Sequence, residues 1–234
     1  MRTLGLIGGM SWESTAIYYR HLNELVRERL GGLHSVRLLL WSVDFAEIAE
    51  LQHDERWEEA AARLGDVATR LEAAGAEAIV LCTNTMHKLA DELQASVAIP
   101  LLHIADATGS AVRAAGCSRP ALLATRFTME QPFYAGRLTD RFGLASLVPD
   151  ASGRAEIHRI IYDELCRGIV TDCSRKAVLT EIEGLRAQGA DSLILGCTEL
   201  TMLLGPEHVD LPLFDTTRLH ATAAVDFALD RLVH

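Results

Sequence analysis

Thr83 and Cys197 stand at the ends of two apolar runs that repeat one another. Gly75-Ala76-Glu77-Ala78-Ile79-Val80-Leu81-Cys82-Thr83-Asn84-Thr85 aligns without a gap on Gly189-Ala190-Asp191-Ser192-Leu193-Ile194-Leu195-Gly196-Cys197-Thr198-Glu199, at an offset of 114. Two further landmarks recur in the same order. Leu6-Ile7-Gly8 with Ser11 and Glu13 matches Leu123-Ala124-Thr125 with Thr128 and Glu130 at an offset of 117, and Ile99-Pro100-Leu101-Leu102 matches Leu211-Pro212-Leu213-Phe214 at 112. Tyr18 and Tyr134 follow at 116. Offsets that drift by a few residues indicate a duplication with trimmed loops. Two similar halves facing each other would make one cleft with two similar walls. A hydroxyl on one wall and a thiol on the other could address opposite faces of one substrate carbon.

The elements that must hold these residues are short strands alternating with helices. Strands are expected at 3–7, 36–41, 78–82, 101–104, 121–124, 193–195 and 213–214. Their Val, Ile and Leu content with little polar alternation suits strands covered on both faces. Trp57, Ala60, Ala61, Leu64, Val67, Ala68 and Leu71 recur at the three- and four-residue spacing of one helix face, as do Ile157, Ile160, Ile161 and Leu165. Gly31-Gly32 and Gly75 read as helix stops. The alternation predicts an α/β chain of two pseudo-symmetric, mostly parallel sheets with helices on both sides. We expect a first domain over 1–104, a second over 105–216, and a last helix over 217–234 that returns to the first domain.

Parallel sheets bind ligands at the carboxyl ends of their strands, beside the following helices. Thr83-Asn84-Thr85 and Cys197-Thr198-Glu199 fall there. Asn84, Thr85 and Thr198 are good N-cap types, so capping and substrate binding weigh equally for them. A free cysteine is most often a small buried hydrophobe. Against that, Cys197 sits at a strand end with a helix start behind it, which should lower its pKa. Cys82 comes one residue too early and should point into packing. Cys117, Cys166 and Cys173 have no symmetric counterpart and read as structural or incidental. The loop Gly8-Gly9-Met10-Ser11 lacks a GxGxxG fingerprint and suits a close backbone approach to a small anion. Thr125 is its counterpart in the second half. Gln52, in an expected 44–52 loop, either reaches the substrate or is a solvated surface residue. His87 either orients a substrate or is a partly buried helix residue.

Composition narrows the class. The chain has 234 residues and 49% hydrophobic content, enough for one large domain or two small ones. Five cysteines without a CxxC pair argue against a disulfide framework, and nine scattered histidines give no HxH or HExxH metal spacing. A net charge of −10 disfavours nucleic acid and anionic membrane as partners. The apolar run at the N-terminus is too short for a signal peptide, and no stretch approaches a membrane span. A cytoplasmic protein is expected.

Three motifs, Gly8-Gly9-Met10-Ser11-Trp12-Glu13-Ser14, Cys82-Thr83-Asn84-Thr85-Met86-His87 and Leu195-Gly196-Cys197-Thr198-Glu199, resemble the aspartate/glutamate racemase family over the whole length. The resemblance implies two pseudo-symmetric flavodoxin-like domains with the active site in the cleft between them. It also implies a racemase that needs no cofactor and often forms a homodimer, with a small amino acid as substrate. The family usually carries Cys-Asn-Thr in the first motif; here Thr83 takes the cysteine's place, as in the branch that pairs Thr with Cys. On that resemblance Cys197 is the base that serves the L-enantiomer and Thr83 the donor. A thiolate can take a proton, whereas a threonine hydroxyl can give or relay one but hardly rests as alkoxide. The carbanion would be stabilised by fixed donors, the candidates being the Met10 loop, Asn84, Thr85, Thr125 and Thr198, with Gln52 and Glu199 as further substrate contacts. No arginine lies inside the motifs; Arg56, Lys88 and Arg126 are near in sequence only. L-Aspartate or L-glutamate is the expected substrate. The alternatives are a broad-specificity racemase, a single-cysteine decarboxylase of the same superfamily, and a non-catalytic binder of small anions.

Overall fold

Each of the seven apolar runs forms a strand. The computed structural model describes residues 1–230. Contacts divide it into two units, Met1–His103 with the chain from His220 onward, and Ile104–Leu219. Each is an α/β unit built on a parallel sheet.

The first unit contains β1 (Leu4–Gly8), α1 (Trp12–Leu30), β2 (Leu38–Ser42), α2 (Phe45–His53), α3 (Trp57–Ala73), β3 (Ala78–Leu81), a 3₁₀ turn (Thr85–Leu89), α4 (Ala90–Ser96) and β4 (Leu101–Leu102). The strand order is β2-β1-β3-β4, all parallel. That is the start of the doubly wound 2-1-3-4-5 order. Side chains alternate across the sheet and feed two cores. Ile7, Ile79 and Leu81 pack with α2, α3 and α4, whereas Leu4, Leu6, Ala78, Val80 and Cys82 pack with α1 and the last helix.

The second unit contains α5 (Ile104–Ala114), β5 (Pro120–Ala124), α6 (Arg126–Glu130), α7 (Pro132–Phe142), α8 (Ala151–Arg159), α9 (Asp172–Ala187), β6 (Ser192–Gly196), α10 (Leu200–Leu203) and β7 (Leu213–Asp215). Its order is β5-β6-β7, again parallel. Leu147 adds a single parallel bridge to Ala121 on the other side of β5, the place β2 takes beside β1. The duplication is therefore visible strand by strand, with the fourth strand of the second sheet reduced to one residue. The last helix, α11 (Thr216–Leu229), carries the boundary between the units. From His220 on it packs Ala221, Ala224, Val225, Ala228 and Leu229 into the β1–α1 core. Positions 231–234 of the expected last helix lie outside the described residues.

Four local expectations need correction. β2 is an edge strand, and its Leu40 and Trp41 are exposed rather than covered. The expected 101–104 strand stops at Leu102, because Ile104 already begins α5. The 44–52 segment is helix α2, capped by Asp44 Oδ1 on the Ala46 N–H at 3.0 Å. The helical spacing of Ile157, Ile160, Ile161 and Leu165 does bury all four. However, α8 ends at Arg159, and the chain continues through a π turn at Ile160–Glu164 and a 3₁₀ turn at Leu165–Arg167. Such widened turns often occur at functional sites.

Candidate active site

In the first unit, β3 ends in the motif that begins at Cys82. Cys82 is fully buried, with its thiol on the α1 side of the sheet and its pKa pushed up by burial. Thr83 follows as a half-exposed residue in an otherwise buried run. Its N–H donates to Leu81 O at 2.9 Å. Asn84 stands at the N-cap of the 3₁₀ turn without a side-chain cap bond, and Thr85 is its first residue, so neither side chain caps an α-helix. Gln52 is 5% exposed, which rules out the solvated reading. Its Nε2 lies 2.8 Å from Met86 Sδ, so α2 and the motif meet there. His87, too, is buried. Its Nδ1 is 2.7 Å from the Thr83 carbonyl oxygen.

The glycine loop has a packing explanation. A Cβ on Gly8 would lie 2.5 Å from Thr15 Cγ2, and one on Gly9 2.3 Å from Val43 O. Gly9 has φ +93°, and its N–H donates to Thr15 Oγ1 at 2.8 Å. The Gly9 N–H is thus taken up by a bond within the loop. Met10 is buried in the apolar cluster of Ile48, Leu51, Leu81 and Met86.

In the second unit, β6 ends at Gly196, and Cys197 follows it. Gly196 is the counterpart of Cys82 and is packed tightly: an added Cβ would meet Ala124 Cβ at 2.9 Å. Cys197, like Thr83, is the half-exposed residue of a buried run. Its Sγ donates to Glu199 Oε2 at 2.9 Å. Thr198 Oγ1 is 3.3 Å from Thr217 Oγ1, and Thr125 Oγ1 is 3.3 Å from Thr128 Oγ1. Thr125, Thr198 and Glu199 are all buried. The structure thus brings Gln52, Thr83, Asn84 and Thr85 onto one strand end of the first unit. It brings Cys197, Thr198 and Glu199 onto the matching strand end of the second.

The electrostatics of Cys197 differ from expectation. Its pKa is raised well above the ordinary thiol range, first by burial, then by the Glu199 carboxylate, with Cys166 adding to the rise and the Glu199 backbone N–H opposing it. The helix behind it, α10, has only four residues and little dipole to offer. The resting group is a thiol hydrogen-bonded to a carboxylate, not a thiolate held by a helix. Two further neighbours were not foreseen. Tyr162, on the π turn, has its hydroxyl pKa pushed up by burial and by Cys197, Cys166 and Glu199. Cys166 therefore belongs to the surroundings of Cys197 instead of standing apart. No motif flags either residue, because the π turn shifts the helical phase that spacing relies on.

Comparison with known proteins follows the same geometry. The family model for Asp/Glu/hydantoin racemases matches residues 7–224. The chain belongs to this racemase family. A candidate Asp/Glu racemase from Yersinia pestis shares 52% identity over 98% of this chain and all of its own, with a TM-score of 0.93. An aspartate racemase homologue from Pyrococcus horikoshii OT3 shares 32% identity over 97% of this chain and 99% of its own, with a TM-score of 0.85. The broad specificity amino-acid racemase RacX of Bacillus subtilis (strain 168) is 21% identical over 95% of this chain and 96% of its own. The racemase is accordingly an isomerase of the amino-acid type. Among its described residues no group of three or more His, Cys, Asp or Glu could hold a metal ion, and no helix is long and apolar enough to cross a membrane.

Proposed function

We propose that this racemase inverts the α-carbon of L-aspartate or L-glutamate without pyridoxal phosphate, nicotinamide or metal, with Cys197 as base and Thr83 as donor. The observation that carries the reading is the matched exposure: in two strand ends related by duplication, each buried run leaves one residue open, Thr83 in the first and Cys197 in the second. The Cys197 thiol passes its proton to Glu199, which already accepts its hydrogen bond. The thiolate so formed is a strong base because its surroundings disfavour the anion, and the substrate's ammonium group supplies the missing counter-charge. It takes the α-proton, the Thr83 hydroxyl relays a proton from water to the opposite face as it takes one up, and Glu199 then returns its proton to the solvent, which restores the starting state. Asn84, Thr85 and Thr198 are the proposed donors to the substrate carboxylate.

Broad specificity is a second reading with its own support. Three cations close in sequence to candidate site residues, Arg56 to Gln52, Lys88 to His87 and Arg126 to Thr125, have contacts of their own. Arg56 pairs with Glu59 at 2.6 Å, Lys88 Nζ sits 4.2 Å from the Trp57 ring centroid, and Arg126 lies against the Phe127 ring at 5.8 Å. A dedicated cation for a second substrate carboxylate is thus not provided by these three. The Bacillus relative bears a broad-specificity name.

Incubation with L-aspartate, L-glutamate and neutral L-amino acids in deuterated water, with chirality and deuterium read at Cα, separates these readings. Enantiomers have equal free energy in achiral solvent, so kcat/KM must be equal in both directions. The preference for L appears in kcat, with KM compensating. Thr83→Cys, which installs an ionisable thiol, is expected to raise kcat from the D-enantiomer. Equal kcat from both enantiomers, unchanged by Thr83→Cys, would show that Thr83 is not the donor.

A further inference from the structure

The first strand end is backed by a buried set of rings that the motifs do not announce. His87, His103, His220 and Tyr18 are all at most 8% exposed. The ring centroids of His87 and His103 are 4.6 Å apart, those of His87 and His220 5.6 Å, and those of Tyr18 and His220 5.7 Å. Hydrogen bonds fix the tautomers. His220 Nε2 is 2.7 Å from Leu102 O, and a carbonyl can only accept, so Nε2 carries the proton. Nδ1 of the neutral ring then accepts from the Tyr18 hydroxyl at 2.8 Å. By the same argument His87 carries its proton on Nδ1 and donates it to Thr83 O at 2.7 Å. The His87 backbone N–H donates to Asn84 O at 3.1 Å, so ring and backbone both grip the Thr83-Asn84 segment.

We propose that His87 is a positioning residue for Thr83: its Nδ1–H anchors the Thr83 carbonyl and so fixes the backbone from which the hydroxyl is aimed, while His103 and His220 wedge the ring in place. This rests on the reading of Thr83 as proton donor. The physical case is that Thr83 lies two residues beyond the end of β3 at Leu81, just past Cys82, whose N–H makes the last bond to β1, to Ile7 O at 2.9 Å. The Thr83 backbone N–H makes a tight link to Leu81 O, two residues away, at 2.9 Å. The His87 bond supplies the missing constraint from four residues downstream. Charge agrees with the role. Burial, then His103 and His220, hold the His87 pKa well below its usual value, opposed by the Thr83 and Leu102 carbonyls, so the anchor stays neutral. A neutral anchor does not draw charge away from the substrate's carboxylate.

The test separates aim from stability by isotope partitioning in deuterated water. Deuterium entering recovered L-substrate reports proton removal and return on the Cys197 face; deuterium in D-product reports delivery on the other face. His87→Leu is expected to lower the ratio of inversion to exchange by roughly tenfold or more, the cost of a small misplacement of a reacting group, while exchange stays near wild type. His87→Asn, whose amide can occupy the place of Nδ1–H, is expected to restore the ratio. If His87→Leu does not fold, His87→Gln, whose donor falls at the Nε2 position instead, decides in the same way. A wild-type ratio in His87→Leu or His87→Gln, or a ratio in His87→Asn as low as in His87→Leu, overturns the proposal. Thr83→Val is run beside them. If it too leaves the ratio unchanged, the reading of Thr83 has failed and this inference with it; if it alone lowers the ratio, only the inference has failed.

Discussion

The Thr83 and Cys197 strand ends share a backbone plan and differ in what stands behind it. Behind Thr83 are three buried imidazoles and a phenol, and His87 and His220 are both pushed toward the neutral form by burial. Behind Cys197 are the Glu199 carboxylate and a second thiol, which oppose a further negative charge, and Tyr162, whose hydroxyl pKa is in turn raised by burial and by these groups. Duplication fixed where the reactive side chain sits; the residues around it set how that side chain holds a proton. A thiol pressed against a carboxylate is reluctant to ionise but strongly basic once it has. A hydroxyl in neutral surroundings has nothing to take its proton permanently and is fitted to donate or relay. On the proposed function the two strand ends would be differentiated for opposite tasks, in the manner of paired groups whose environments push their proton affinities apart.

The largest effect should come from removing the basic end. Cys197→Ala is expected to lower racemisation by roughly 10²–10⁴-fold, the usual contribution of a positioned base, with the melting temperature little changed because the substitution removes a single sulfur from a partly buried strand end. Cys82→Ala is the control on the packed side of the same kind of strand end and should retain turnover. Equal losses in the two variants, measured as initial rates, would remove the distinction between the open and the packed position.

Glu199→Gln sharpens the comparison and should have a smaller effect. Removing the carboxylate removes a cause that raises the thiol pKa, so Cys197 should react faster with iodoacetamide at a given pH, read peptide by peptide by mass spectrometry. Racemisation should nevertheless fall, by roughly 10-fold or more, because the acceptor for the thiol proton is gone. Faster alkylation together with faster racemisation would mean that Glu199 only suppresses the thiol.

What the sequence shows and what it hides divide along the same line. The strands were legible because Ala78–Leu81 and Ser192–Gly196 are continuous apolar runs, and the repeat aligned Thr83 with Cys197 before any fold was known. The exposure of β2 was not, since an edge strand and a central strand have the same composition here. The low pKa expected for Cys197 failed because a helix start was read where only four helical residues follow, and because Glu199 turns back on the thiol, a contact that spacing of two residues along a chain does not reveal. Tyr162, His103 and His220 carry no signal in the sequence, and Cys166 reads there as structural or incidental, because all four reach the strand ends by long-range packing. His220, for example, meets Leu102 across 118 residues of chain.

The smallest effect on turnover, and the cleanest test of the neutral end, is the pH dependence of stability. His220 is fully buried, and its pKa is lowered to about 4, with burial as the cause and the Leu102 carbonyl opposing it. The unfolded chain holds this group near pKa 6.5, so between pH 6.5 and 4 it binds a proton that the folded chain refuses. Stability from this group is therefore complete above pH 6.5 and is lost as pH falls through the window, by up to about 3 kcal/mol in all. Tyr18 and His87 face the same ring, His103 lies against His87, and His87 shifts in the same direction, so the wild-type slope contains more than one histidine. His220→Gln keeps a donor for Leu102 O and cannot titrate. In urea melts from pH 7 to pH 4 its stability should fall less steeply than that of wild type, by up to about 1.4 kcal/mol per pH unit, the equivalent of one proton. Parallel slopes would show that His220 is protonated in the folded protein as readily as in the unfolded one, and the contrast between a neutral and an anionic strand end would lose one of its supports.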